Sequence, residues 1–189
     1  MNVYVTSDHH FWHQNIIKFQ DRPFENTHEM NESMINTWNE IVLSDDDVVI
    51  HLGDFFFNKR GNFEQRKNIF DRLNGKKYLI RGNHDKRGNI HYQNLGFLFV
   101  GDYMTRGQIM FNHYYAIEDP KYPHPGVQAC AKRVKEHGSK LILHGHRHNP
   151  NPVEWTNHFN VCVDQHDFKP INLMQMLEEN NLQHLLSIK

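Results

Sequence analysis

The chain has 189 residues, with 21 Lys and Arg against 22 Asp and Glu and a formal charge of −1. This length is most simply one domain, 1–189, with a full core. The balanced charge removes overall basicity as an argument for duplex nucleic-acid binding, and no apolar run approaches the roughly 20 residues of a membrane-spanning helix.

In chain order, Val3-Tyr4-Val5 reads as a buried strand that leaves through Thr6-Ser7-Asp8-His9-His10. Nothing before it has the basic and apolar regions of a signal peptide, so a cytoplasmic location is expected. Asp8 and His10 stand two apart. Extended chain puts both on one side, whereas a helix would turn them about 200° apart. Residues 13–19 have helical spacing, broken at Asp21-Arg22-Pro23-Phe24. An amphipathic helix follows over 28–42, with Met30, Met34, Ile35, Trp38, Ile41 and Val42 on one stripe and Thr27 as the N-cap. Ser44-Asp45-Asp46-Asp47 is a solvated turn. Val48-Val49-Ile50-His51-Leu52 is the second buried strand, ended by Gly53-Asp54, and Phe55-Phe56-Phe57 reads chiefly as core.

A helix from Gly61 or Asn62 to Leu73 closes at Asn74-Gly75. Tyr78-Leu79-Ile80 forms the third strand and stops at Gly82-Asn83-His84-Asp85. A weaker helix over 86–95 leads to short strands over 97–100, 103–106 and 108–111, the last two joined at Arg106-Gly107 and ended by Asn112-His113. The loop over 114–126 holds three prolines and three tyrosines. It is a connector or a substrate-binding segment, with equal reason for each. A helix over 127–137 and a strand over 140–143 deliver His144-Gly145-His146-Arg147-His148. A late strand over 159–163, a helix from about 172 to 179 and a short terminal strand or helix over 182–188 complete the chain. Cys130 and Cys162 are too few for a disulfide scaffold and are expected as reduced, buried thiols.

Five apolar runs thus end in Asp, Asn or His, at the strand ends where open α/β folds bind ligands. The candidate ligands are Asp8, His10, Asp54, Asn83, His113, His146 and His148, drawn from a chain unusually rich in histidine, with 16. Without paired cysteines among them, thiolate zinc sites are excluded, and mixed imidazole and carboxylate donors suit Mn, Fe, Zn, Co or Ni. Seven ligands exceed the needs of one catalytic ion. Two ions sharing a carboxylate, roughly 3.5–4 Å apart, fit better and can clamp a phosphoryl group.

The succession D-x-H, G-D, G-N-H-D/E, a lone H and G-H-x-H, standing here as Asp8-His9-His10, Gly53-Asp54, Gly82-Asn83-His84-Asp85, His113 and Gly145-His146-Arg147-His148, resembles the calcineurin-like metallophosphoesterases. The stretch His13-Gln14-Asn15-Ile16-Ile17-Lys18-Phe19 and the small size resemble bacterial, archaeal and viral members. The resemblance implies an α/β fold, a metallophosphoesterase-type β-sandwich flanked by helices with the metal site at strand carboxyl ends. It implies Asp8, His10 and His148 on one ion, Asn83, His113 and His146 on a second, and Asp54 on both. A hydroxide bridging the ions would be the nucleophile, and His84 would serve as acid or stabilise charge over the phosphate. Manganese is the expected metal, ahead of Fe, Zn, Ni and Co.

Protein phosphatases of this superfamily follow G-D with a second Asp and an Arg, where this chain has Phe57 and Asn58. The departure favours diesters or small phosphates. The expected activity is therefore a phosphodiesterase on nucleotides or nucleic-acid ends. The alternative is a phosphomonoesterase or pyrophosphohydrolase on a small molecule. A non-catalytic metal scaffold is a third reading, against which His84 and the full ligand set speak. His13, Arg81 and Arg147 are candidate substrate contacts, with packing beside the motifs as the plainer role for each. Asp85 is placed to orient His84 only if its side chain reaches the ring. The resemblance leaves a homodimer open.

Overall fold

The computed structural model describes residues 1–57, 61–117, 124–150 and 156–187. Asn58, the middle of the 114–126 loop and the end of the chain lie outside the described residues. Strands β1 (Val3–Thr6), β2 (Val48–His51), β3 (Lys76–Ile80) and β4 (Phe99–Gly101) run parallel, and β9 (Ile171–Asn172) pairs antiparallel with β1. The order in this sheet is β4-β3-β2-β1-β9. A second sheet, β5-β6-β7-β8, opens with the hairpin of β5 (Tyr103–Arg106) and β6 (Ile109–Asn112). It continues in parallel through β7 (Leu141–His144) and β8 (His158–Asn160).

Side chains on a strand alternate between its two faces, and here both faces are apolar, as parallel sheets covered on both sides require. Tyr4, Val49 and Leu79 turn outward into a cluster with Met30, Met34, Ile35 and Trp38 of helix α2 (Thr27–Ile41). Their neighbours Val5, Ile50 and Ile80 turn inward and meet Ile109, Phe111, Leu141 and Leu143 of the second sheet. On its far face, Met110 and Ile142 pack on Cys130 of helix α5 (Pro125–His137). The result is the expected sandwich of two sheets with helices outside. Both cysteines are free and buried.

The remaining helices are α1 (Gln14–Phe19), α3 (Phe63–Arg72), α4 (Asn89–Leu95) and α6 (Leu173–Glu179). Helix α2 starts one residue earlier than its apolar stripe suggests. Its cap is Asn26, whose carboxamide oxygen accepts from the backbone N–H of His28 and Glu29, so Thr27 is already helical. Helix α3 is held by a reciprocal capping box between Asn62 and Gln65. Strand β8 is shorter than expected. The chain leaves the ladder after Asn160 because Cys162 bridges to Ser7 at the end of β1, and a 3-10 turn, Val163–Gln165, follows. That bridge joins the two sheets at one end of the sandwich. Among the described residues no helix is long and apolar enough to cross a membrane.

Candidate metal centre

The carboxyl ends of β1, β2, β3, β6 and β7 meet at that same end. The loops that leave them are laced by backbone hydrogen bonds: Asp8 N–H to Gly53 O, His10 N–H to Asp54 O and Gly145 N–H to His113 O, at 2.9, 2.9 and 3.0 Å. Two motif glycines are explained by this crowding. A Cβ on Gly82 would collide with the Asp54 carboxylate, and one on Gly145 with the Asp8 carboxylate and the Ser7 hydroxyl. Asp8 and His10 do not share a side through extended chain, as their spacing suggested. Both have left-handed backbone, φ 60° and 52°, as do Asp54 at 56° and His146 at 66°. Such non-glycine residues each cost about 1–3 kcal/mol and persist only where the surroundings over-determine them.

The side chains converge in overlapping groups. Asp8, His10 and Asp54 bring one ligand atom each within 4.8 Å of one another, and so do Asp54, His113 and His146. Asp54 belongs to both. Its Oδ2 stands 3.5 Å from His10 Nε2 and 3.6 Å from His113 Nε2. Asn83 Oδ1 lies 3.1 Å from His113 Nε2. The rings of His10 and His148 stack at 5.4 Å. Asp8, His10, Asp54 and His113 are almost wholly buried, and no Lys or Arg among the described residues pairs with either carboxylate.

This donor set fits divalent ions. Asp8 Oδ1 and His10 Nε2 are buried without a hydrogen-bond partner, as ligand atoms would be. Burial, and then the Asp8 charge, hold Asp54 well above the usual carboxylate range. Burial, and then His113 and His124, bring His146 down to about 3, which keeps a ring neutral and able to ligate. His113 turns its Nδ1 to Leu52 O at 2.8 Å, leaving Nε2 to face the site.

Asp164 was not found from the sequence. It sits in the 3-10 turn after the sheet-joining bridge and meets His148 Nδ1 at 2.6 Å. Arg22, fully buried at the point read only as a helix break, donates to both Asp164 oxygens at 2.7 and 2.8 Å and to the carbonyls of Asp8 and His9. Burial alone would raise the Asp164 carboxyl, but His148 and Arg22 hold it far below its ordinary range. Burial likewise lowers His148, yet Asp164 and Asp8 outweigh it and the ring is raised. Removing the charge with Asp164→Asn is expected to weaken metal affinity or turnover by roughly 10–100-fold. Metal titration of the purified variant checks this, with unchanged affinity as the contrary result. Cys162 lies against the same pair, its Sγ 3.6 Å from His148 Nδ1. Burial, and then Asp8, push its thiol well up.

Asp85 does not reach the His84 ring in any described bond. It accepts from the backbone N–H of Asp54, Gly82 and Phe55 at 2.7, 2.9 and 3.3 Å, and so staples the second and third loops together. His84 is anchored instead by its own N–H to Asp54 Oδ1 at 2.8 Å, and its half-buried ring lies 5.0 Å from that of His10. His13 is also at the site, 5.4 Å from the His10 ring, its Nδ1 capping α1 through Ile16 N–H. Arg81 is turned to Asp102 at 2.5 Å. Arg147 places its guanidinium over Tyr115 at 5.7 Å. His9 and His144 are fully buried and face His51 and Gly145 O.

The chain is similar to known proteins in both sequence and structure. The family model described as calcineurin-like phosphoesterase matches residues 1–118, which takes in Asp8, His10, Asp54, Asn83, His84 and His113. The uncharacterised protein MJ1445 of Methanocaldococcus jannaschii is 37% identical over 131 residues, 64% of this chain and 73% of its own. The protein of unknown function AQ665 from Aquifex aeolicus has a similar structure, with a TM-score of 0.75 at 25% identity over 94% of this chain and 98% of that one. With more than half of its length matched by the family model and its histidine and carboxylate clusters able to bind divalent metal, the chain belongs to the calcineurin-like phosphoesterase family.

Proposed function

We propose that the protein is a phosphodiesterase that works with two divalent ions, manganese by preference, on nucleotides or nucleic-acid ends. The observation that carries the two-ion reading is the shared position of Asp54, 3.5 Å from His10 Nε2 and 3.6 Å from His113 Nε2. Asp8, His10 and His148 would hold one ion with it, and Asn83, His113 and His146 the other. When bound, such ions supply Lewis-acid charge to phosphoryl oxygens and lower the pKa of water. The residues do the rest. Asn83 offers a neutral oxygen, so no third carboxylate opposes an anionic substrate. The Asp54–His84 backbone bond ties the His84 ring to the shared carboxylate, and His84 gives its proton to the leaving oxygen.

The preference for diesters is supported by Phe57. Where the related protein phosphatases carry an acid, this ring lies 5.7 Å from His84. An apolar wall suits an esterified oxygen better than a further anionic one. With the metal-stripped protein reloaded with Mn, bis(p-nitrophenyl) phosphate is expected to be cleaved with at least about tenfold higher kcat/KM than p-nitrophenyl phosphate, a difference of about 1.4 kcal/mol. The reverse preference would replace this reading with a phosphomonoesterase or pyrophosphohydrolase. Absence of both activities with two ions bound would point to a metal scaffold.

A further inference from the structure

One flank of the site carries rings that the reaction itself does not use. His13 packs on Phe57 with ring centroids 3.9 Å apart, and the two lie 5.8 and 5.7 Å from His84. Phe19, the last residue of α1, meets His13 edge-on at 6.4 Å and is 69% exposed. Helix α1 does not need it for packing, since Ile16 and Ile17 supply the buried face. A lone exposed phenylalanine is ordinary. This one ends a continuous row of rings that begins at the candidate acid. Tyr114 and His124 gather elsewhere, 4.8 and 5.4 Å from His146, so the two flanks are distinct.

We propose that Phe19 and Phe57, set in place by the buried His13 ring between them, form a stacking shelf for the nucleobase on the departing arm of the substrate. The inference rests on the diesterase reading, in which the alcohol that leaves does so beside His84. Every base has a π-face, and stacking on aromatic side chains tolerates any sequence. The shelf fits that kind of recognition. Phe19 and Phe57 offer faces and no hydrogen-bonding groups, and His13 spends its Nδ1 on Ile16. It therefore selects for a base without selecting which base.

The test compares dithymidine phosphate with two analogues, each lacking one base, on the Mn-loaded protein. Products identify the departing nucleoside. Binding of the corresponding phosphorothioates, followed by calorimetry, gives a readout independent of turnover. Loss of the departing base is expected to lower kcat/KM and binding about tenfold in the natural chain, and loss of the other base to do less. Phe19→Ala is expected to bring the parent and the analogue without the departing base within twofold of each other, and Phe57→Leu to act in the same direction. No discrimination in the natural chain, or discrimination unchanged in both variants, overturns the shelf. Base-dependent binding of the phosphorothioates that Phe19→Ala and Phe57→Leu abolish, with no cleavage of any diester, would retain the base-stacking surface and overturn the diesterase reading instead. The two failures are thereby separable.

Discussion

Asp54→Asn is expected to lower kcat/KM on bis(p-nitrophenyl) phosphate by at least about 10³-fold while making the metal-free protein more stable. The first effect follows from sharing. Taking the charge from the carboxylate that both ligand groups meet would weaken both of the proposed ions together, and a loss of about 4 kcal/mol of transition-state stabilisation corresponds to that factor. The second follows from burial beside Asp8, which raises the Asp54 carboxyl well above 3.8. In the fold it keeps its proton at pH values where the unfolded chain has released it. The stability it contributes is whole below about pH 4 and is lost as pH rises through the raised folded value. Asparagine has no proton to release, and its oxygen can still accept from His84 N–H. The metal-free variant should therefore melt above the metal-free natural protein at pH 7, with the gap closing toward pH 3. Mn should raise the Tm of the natural protein and leave that of the variant nearly unchanged. A variant that is weaker without metal yet still stabilised by Mn would contradict the shared-carboxylate reading.

His84→Ala is expected to leave metal content unchanged and to lower kcat about 10²–10⁴-fold, the usual range for loss of a positioned acid. The ring of His84 belongs to the same cluster as those of His10 and His13, but its tie to Asp54 is through the backbone, which alanine keeps. The loss should depend on the leaving group. p-Nitrophenolate departs readily without a proton, whereas an alkoxide does not, so a methyl diester should suffer more than bis(p-nitrophenyl) phosphate. Burial, and then His113, lower the pKa of His84, making its imidazolium the stronger acid. Kinetics on the two diesters, with metal content measured in parallel, provide the check. Equal losses would assign His84 to charge stabilisation rather than proton transfer, and loss of metal would place it among the ligands.

The candidate ligands were legible because each follows a short apolar run, and a run that ends in Asp, Asn or His reveals where a strand delivers its chemistry. Asp8, Asp54, Asn83, His113, His146 and His148 all emerge that way, and the structure brings them to one end of the sandwich. The left-handed backbone at Asp8, His10, Asp54 and His146 was not legible, since no local preference announces it and contacts between loops impose it. Asp164 and Arg22 escaped for a related reason. A single carboxylate after a strand and an arginine in a turn look like surface residues until a pairing across 142 positions buries them together. Strand positions could be read from apolar runs, but the division into two sheets depends on pairings such as β1 with β9 and on the bridge from Ser7 to Cys162, which span most of the chain. The N-cap of α2 shows the same limit at short range. Asn26 and Thr27 are both good caps, and only the extended backbone at Asn26 decides between them.

Electron paramagnetic resonance of the Mn-loaded protein, with metal content measured on the same sample, reports whether two ions are joined through Asp54. The expected result is two Mn per chain with an exchange-coupled signal, and loss of the coupling in Asp54→Asn. One Mn per chain, or two with independent signals unaffected by that substitution, would contradict it.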